Sequence, residues 1–294
     1  MEDQATETFV AHRNLLFTVA YELLGSAADA EDVLQETWLR WVAVKADTVR
    51  DQRAYLVRIT TRQALNRLRT MKRRKEAYVG SWLPEPLLTT PDVAQDYELA
   101  ESVSMALMIV LETLSPTERA VFVLREAFDL SYEEIAAAVE KSPDAVRQIA
   151  HRARLHVDAR RPRTVVSAGE TRAAMDAVQR AFETMNPQGL LDVLAPGVVL
   201  VADGGGLRRA APKPIVGADK VIRFFAGGTS KTEGVVTVER TVVNGNPALV
   251  VRLDGEIDGV MALRVEDSLI TGLYYVRNPE KLTRVESEIP LTLH

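Results

Sequence analysis

The chain has 294 residues, 47% hydrophobic and 26% charged, with a net charge of −5: a globular composition, long enough for two or three small domains and without the bulk positive charge of a general nucleic-acid binder. It holds no cysteine and only four histidines (His12, His151, His156, His294), which excludes disulfides, thiolate zinc sites and cysteine nucleophiles and leaves histidine-based catalysis short of parts. No apolar run reaches the ~18–20 residues of a membrane span and no secretory pattern opens the chain, so a cytoplasmic setting without a membrane partner is expected.

The first half reads as successive helices. Phe9, Leu16, Val19, Ala20 and Leu23 recur at helical spacing over 8–24, and Gly25 is a natural stop. Ser26 and Asp29 can cap a second helix, about 29–44, burying Val33, Trp38 and Trp41. A third runs from about Asp51 to Lys75, with Tyr55, Leu56, Ile59 and Leu68 apolar. Residues 76–104 contain Pro84, Pro86 and Pro91 and are expected to be an extended linker, although Tyr78, Val79, Trp82, Leu83, Leu87 and Leu88 call for a cover.

Four further helices are expected over 105–159. Ser115-Pro-Thr-Glu118 and Ser131-Tyr-Glu-Glu134 are capping boxes, and Ser142-Pro143-Asp144 supplies cap, first-turn proline and first-turn acid. Helix, tight turn, helix over 132–159 is the helix-turn-helix layout. Beyond Arg160-Arg-Pro-Arg163 the composition shifts. A helix near 168–185, a short one near 187–194 and a helix at 217–226 accompany valine-rich strands at 198–201, 235–243, 248–253, 256–265 and 268–276, an α+β unit.

Charge is distributed unevenly along this frame. Residues 1–36 carry eight acids against Arg13, whereas 53–75 carry nine bases and no acid, and 147–163 carry six arginines against Asp158. A charge run on a helix is usually a solvated face; two basic helices, each ending a helical unit, fit phosphate contact better. In the first, Arg53, Tyr55, Arg58, Thr60, Arg62, Asn66 and Arg69 mix cations, base-capable groups and an aromatic, a combination that suits a single strand with an unstacked base. Tyr55 can equally be a core residue. In the second, Arg147 and Gln148 can reach base edges while Arg152 and Arg154 suit phosphates.

The segments Asp29-Ala-Glu-Asp32, Gln35-Glu-Thr-Trp-Leu39 and Arg53-Ala-Tyr-Leu-Val-Arg-Ile resemble region 2 of extracytoplasmic-function sigma factors, and Leu114-Ser-Pro-Thr-Glu-Arg119 with Tyr132-Glu-Glu-Ile-Ala136 through Arg147 resembles their region 4. The resemblance implies that Asp29, Asp32, Gln35, Glu36, Trp38 and Leu39 face core RNA polymerase. It implies further that 53–69 reads and opens the −10 promoter element, and that Ser142, Asp144, Ala145, Arg147, Gln148, His151, Arg152 and Arg154 sit on the −35 element. Tyr55 stands where many members have tryptophan, and Asn66 where many have aspartate.

Three more segments, Tyr78-Val-Gly-Ser-Trp-Leu-Pro-Glu-Pro86, Asp203-Gly-Gly-Gly206 and Asn278-Pro-Glu-Lys-Leu282, resemble signatures of the sigma J type, in which a SnoaL-like domain is fused to the sigma body. By that resemblance Tyr78, Trp82, Leu83, Pro84, Pro86, Asp203, Gly204, Gly205, Gly206, Asn278, Pro279, Lys281 and Leu282 form a regulatory contact between the extra domain and the rest. Read from the residues alone, the glycines are a flexible turn and Asn278-Pro279-Glu280 an ordinary helix start.

The expected architecture is two all-α domains, 1–75 and 105–160, joined by the linker 76–104 and followed over 164–294 by an α+β SnoaL-like cone, a curved antiparallel sheet with helices. The expected function is a sigma factor that brings core RNA polymerase to promoter DNA under the control of its own C-terminal domain, with no cofactor or metal. That domain can hold a small apolar ligand. Two rivals stand beside this reading. A one-component helix-turn-helix regulator has no use for a second basic helix. A SnoaL-like isomerase would have to use Asp203, Asp254, Asp258, Tyr274 and Tyr275, since residues 164–293 contain no histidine.

Overall fold

The computed structural model describes residues 2–89, 97–160, 168–184, 186–229 and 233–293. Pro91 of the expected linker, Arg161 and Arg163 of the second basic stretch, and His294 lie outside them, as do the side chains of Lys72, Arg73 and Arg74.

Helices α1 (Glu2–Leu24), α2 (Ala27–Val42) and α3 (Gln52–Glu76) pack as a trio around Leu16, Val19, Leu23, Val33, Trp41, Leu56 and Leu65. The Trp41 indole N–H donates to the Ala5 carbonyl (2.8 Å), tying the end of α2 to the start of α1. Ser26 caps α2 by accepting from the Asp29 N–H (3.2 Å), so the helix begins slightly before its first acid. A short helix, α4 (Tyr97–Ser102), occupies the end of the stretch expected to be extended. Then follow α5 (Met105–Leu111), α6 (Pro116–Glu126), α7 (Tyr132–Val139) and α8 (Pro143–Asp158), with both capping boxes formed and Glu140 in the left-handed conformation between α7 and α8.

The two helical units share one hydrophobic core rather than holding one each. Val121, Val123, Ile135 and Val146 belong to the same buried cluster as the α1–α3 residues, and so do Leu291 and Leu293 from the C-terminal tail. A sequence pattern marks which face of a helix is apolar and leaves open which partner will cover it.

In the second half, α9 (Ala168–Glu183) and a 3-10 turn (Pro187–Leu190) lead into β1 (Leu194–Asp203), β2 (Ile215–Val216), α10 (Ala218–Thr229), β3 (Val236–Val243), β4 (Asn246–Leu253), β5 (Glu256–Glu266) and β6 (Leu269–Val276). They form one sheet in the order β2-β1-β6-β5-β4-β3. The sheet is mixed, correcting the expected all-antiparallel one: β1 runs parallel to β6. Parallel pairing needs a long crossover, which the chain from β2 to β5 supplies, and alternation within a strand carries no signal of it.

Both faces of this sheet are covered. Leu249, Val251, Met261, Leu263, Leu273 and Tyr275 share a core with α9 and α10. The alternate residues Ala248, Val250, Val260, Ala262, Tyr274 and Val276 pack with Leu83 of the linker and Met105 of α5. Burial on both sides accounts for the almost unbroken apolar runs of β4 and β5.

The linker completes the fold as an extended ribbon. Leu88 bridges antiparallel to Val243 at the end of β3, and Thr89 bridges parallel to Ile289 in the tail. The Trp82 ring lies against Gly25, whose φ is +69° and where a Cβ would come within 2.7 Å of the indole. Gly25→Ala is expected to cost more than the ~1–2 kcal/mol of left-handed strain alone. Chemical denaturation of a double-mutant cycle with Trp82→Leu checks this: the excess should vanish when the indole is replaced, and an unchanged cost there would place the strain entirely in the backbone.

Candidate functional site: two basic helices and a clasped linker

On α8 the expected −35 residues form a solvent-facing surface. Asp144, Gln148 and His151 are exposed at helical spacing along one face, with Arg147, Arg152 and Arg154 exposed beside it. Ser142 is the N-cap, accepting from the Ala145 N–H, and Ala145 is half-buried. Arg147 pairs with Asp144 (2.6 Å) and Glu133 (3.2 Å), and Arg154 with Glu126, whereas Gln148 and Arg152 are turned to solvent.

On α3 the expected −10 residues divide. Arg62, Asn66 and Arg69 are exposed, and Arg53, Tyr55 and Arg58 half-buried. Tyr55 packs on Trp41 at 5.9 Å and carries Arg58 over its ring at 4.8 Å, so it is both a core residue and part of a cationic surface. Thr60 is fully buried beside the Thr37 hydroxyl (3.3 Å), which makes it a contact between α2 and α3 rather than part of the exposed basic surface. The exposed residues line a cleft of about 390 Å³ shared with Glu140 at the end of α7. Arg62 crosses that cleft, donating to the Ala137 carbonyl (2.8 Å) and pairing with Glu140 (3.3 Å). The end of α7 thus overhangs the basic face of α3.

The expected polymerase-facing residues also divide. Gln35, Glu36 and Leu39 are exposed on α2, Leu39 to 66%, and Trp38 is half-buried against Phe9. Asp29 and Asp32 are both engaged by the Arg67 guanidinium of α3, each at 2.6 Å.

The linker is clasped from both sides. Asp203, at the end of β1, is fully buried. Its Oδ1 accepts from the Tyr78 hydroxyl (2.6 Å) and the Gly205 N–H (3.0 Å), and its Oδ2 from the Leu83 N–H (2.9 Å) and Lys281 Nζ (2.7 Å). Lys281 also donates to the Leu83 carbonyl (2.6 Å), and Asn278 Nδ2 to the Tyr78 hydroxyl (2.8 Å). A buried carboxylate is tolerated because every lone-pair direction is answered. Gly205 is required here, since a Cβ would sit 2.4 Å from the Asn278 amide. Gly204 folds against the Arg208 carbonyl and Gly206 against Val79, so the triplet is a close-packed turn rather than a loose one. Pro279 opens the 3-10 turn capped by Asn278, and Leu282 is buried behind it.

Two ammonium groups approach the Trp82 ring, Lys75 of α3 at 3.4 Å and Lys281 at 4.3 Å. Burial lowers the pKa of both lysines, that of Lys75 to about 8, against the opposing pull of Glu112 on Lys75 and Asp203 on Lys281. Lys75 is therefore spent inside the molecule, bonded to Glu112 (2.6 Å), which in turn pairs with buried Arg119. Downstream, Pro84 and Pro86 are buried. Between them Glu85 accepts from the Ala27 N–H (2.8 Å) at the start of α2, where the helix dipole favours an anion.

Asn244 is a contact that sequence reasoning missed. It occupies the β3–β4 turn with φ +53°; its side chain accepts from Leu87 N–H (3.0 Å) and donates to the Tyr21 hydroxyl (2.7 Å) and the Val103 carbonyl (2.8 Å). Asn-Gly reads as a hairpin turn, which it is, and nothing local marks its amide as a bridge. Glu85, Glu22 and Arg119 were missed likewise.

The residues considered for catalysis are occupied. Asp254 is a turn residue accepting from the Val235 N–H (2.9 Å). Asp258 accepts from Arg277 twice (3.0 and 2.7 Å) and from the Tyr275 hydroxyl (3.0 Å), a satisfied ion rather than a free base. Tyr274 is buried on the linker-facing side of the sheet. Among the described residues no three acidic or histidine side chains gather to hold a metal ion, and no helix is long and apolar enough to cross a membrane.

Residues 8–74 match the Sigma-70 region 2 family, and residues 104–157 match Sigma-70, region 4. The chain is 36% identical over 292 residues to the ECF RNA polymerase sigma factor SigJ of Mycobacterium tuberculosis, covering 94% of this chain and 92% of that protein. It is 30% identical over 290 residues to the probable ECF RNA polymerase sigma factor SigI of the same species, covering 98% of both. The crystal structure of the M. tuberculosis extracytoplasmic function sigma factor SigJ is similar with a TM-score of 0.73 at 30% identity, over 96% of this chain and 99% of that one.

Two outcomes are expected of the clasp and its surroundings. Asp203→Asn leaves Lys281 buried without its counter-charge and should cost about 3–5 kcal/mol, with amides of 78–88 losing protection in hydrogen exchange; protection unchanged there would show that the carboxylate does not hold the linker. Fully buried Glu22, beside Ser102 (2.9 Å), is pushed up to about 8 by burial, against the opposing effects of Ser102 and Arg119. The folded state then keeps a proton that the unfolded state releases above 4.5, so stability should fall as pH rises from 4.5 to about 8. Thermal melts across that window should show a smaller decline for Glu22→Gln, and parallel curves would count against it.

Proposed function

Because the chain belongs to the extracytoplasmic-function sigma factors, a non-enzymatic family that directs core RNA polymerase to promoters, we propose a division of labour among its parts. Residues 1–75 form the polymerase-binding and −10 unit, in which Gln35, Glu36, Trp38 and Leu39 dock on core enzyme, with Asp29 and Asp32 joining once Arg67 lets go. Arg53, Tyr55, Arg58, Arg62, Asn66 and Arg69 take the −10 strand. Residues 105–160 form the −35 unit, with Gln148, His151 and Arg152 toward the bases and phosphates and Arg147 and Arg154 recruited from their acidic partners. Promoter phosphates compete well for such exposed pairs, which are worth little to stability.

Residues 164–294 act as a resident regulator on the linker 76–104, and their interior takes a small apolar ligand. The observation that carries this reading is the Asp203 clasp. It binds linker backbone and side chain directly, and the linker joins the two DNA-reading units. With Arg62 reaching across to the helix-turn-helix, α3 is half-covered, and this arrangement has to open before a strand can lie along it. An intramolecular regulator works at high effective concentration and needs no separate inhibitor protein. The assembly acts in the cytoplasm, where core polymerase is.

The test is run-off transcription with core polymerase on the protein's own upstream region and a random promoter pool. Tyr78→Phe and Asn278→Ala, which loosen the clasp without stranding a charge, are expected to shift transcript yield by about fivefold or more at equal core binding, while Leu39→Asp lowers core binding itself. Transcript yield indifferent to both clasp variants would remove the regulatory role and leave the sigma assignment in place.

A further inference from the structure

The C-terminal domain contains a cavity of about 310 Å³ between the sheet and helices α9 and α10, on the face opposite the linker. Its body is aromatic. Phe182 meets Phe225 at 5.7 Å and Tyr275 at 6.4 Å, both edge-on, and Phe224 adds a further ring. Val251 and Leu253 of β4 extend the apolar wall. The edges and faces these rings turn to the cavity favour another flat ring packed against them.

Its polar part is unbalanced. Three arginines line it, Arg209, Arg223 and Arg277, against one acid, Asp258; the Arg209 carbonyl accepts from Arg277 (2.6 Å), and Arg223 Nε donates to the Asp219 carbonyl (3.3 Å). That carboxylate is consumed by Arg277 and Tyr275. Arg209 and Arg223 are exposed, and neither has an acidic partner among the described residues. An occupant therefore meets aromatic rings within and uncompensated positive charge at the rim. A cation is repelled, and a purely apolar molecule leaves the rim unused. The volume lies at the low end for small-molecule sites, about 300–1,000 Å³, which suits one or two rings.

We propose that this cavity binds a small aromatic carboxylate, its rings among Phe182, Phe225 and Tyr275 and its anionic group at Arg209 and Arg223. The inference sharpens the apolar-ligand reading above and rests on it. It also places the ligand where it can be felt by the linker. Arg277 lies in the cavity wall; Asn278, the next residue, holds Tyr78. The N–H groups of both donate to the Asp203 carbonyl, at 2.7 and 3.0 Å. An occupant that draws Arg277 toward itself pulls on the strand end one residue from the clasp.

Isothermal titration of the full chain with 2-naphthoate and with its neutral counterpart 2-naphthamide tests the idea, the two sharing size and rings. One site per chain is expected for naphthoate, with naphthamide about tenfold weaker, as one charge-assisted contact of ~1.4 kcal/mol would give. In the double variant Arg209→Gln/Arg223→Gln the two should bind alike, and its melting temperature should stay near that of the wild type because both side chains are exposed. Equal binding of the two probes to the wild type would overturn the anion site while leaving an apolar pocket. Naphthoate binding untouched by the double variant would overturn it by placing the anion elsewhere, on the basic helices. Binding of neither probe would overturn both readings.

Discussion

A single buried carboxylate organises the way the two halves of this protein meet. Asp203 ends strand β1 of the C-terminal sheet with no exposure to water, and an ion in that position is stable only if its surroundings answer it. Two of the answering groups, the Tyr78 hydroxyl and the Leu83 N–H, come from the linker; the other two, Lys281 and Gly205, come from its own domain. The linker is thereby part of the solvation shell of the ion. Pulling it away would expose a charge pair that the linker helps to satisfy, so linker position and domain integrity are thermodynamically tied.

From that point order spreads in both directions along the chain. Upstream, Trp82 is approached by Lys75 and Lys281 and closes on Gly25, which sets the start of α2. Downstream, Glu85 and Leu87 are fastened to the α2 N-terminus and to Asn244. Asn244 reaches Tyr21 on α1 and the Val103 carbonyl before α5, so one amide ties the first helical unit to the linker at both Leu87 and Val103. The bonds are individually modest, but they are buried and share members, the condition under which deleting one partner costs more than its pairwise worth.

The sequence was most informative where local chemistry decides the outcome. Capping boxes at Ser115 and Ser131, the cap at Ser142 and the stop at Gly25 are properties of a few consecutive residues, and the helices begin and end where those residues dictate. The sigma resemblance likewise rested on short motifs. What escaped was long-range: that one core serves both helical units, that β1 runs parallel to β6, and that Thr60 faces Thr37 rather than outward. Asn244 and Glu85 escaped for the same reason. Each is ordinary in its local setting, a turn asparagine and a linker acid, and gains its role from a partner many residues away.

The two-sided burial of the sheet bears on how such a domain could be exchanged between proteins. Ala248, Val250, Val260, Ala262 and Val276 form an apolar plane whose cover is shared between Leu282 and Val285 of the same domain and Leu83 and the start of α5, which lie outside residues 164–294. Moved alone, the C-terminal domain would carry a partly uncovered hydrophobic plane, prone to self-association. The unit that travels with its full cover is the domain together with its ribbon, and a recombination that preserves that cover has to cut upstream of Tyr78 rather than after the helix-turn-helix.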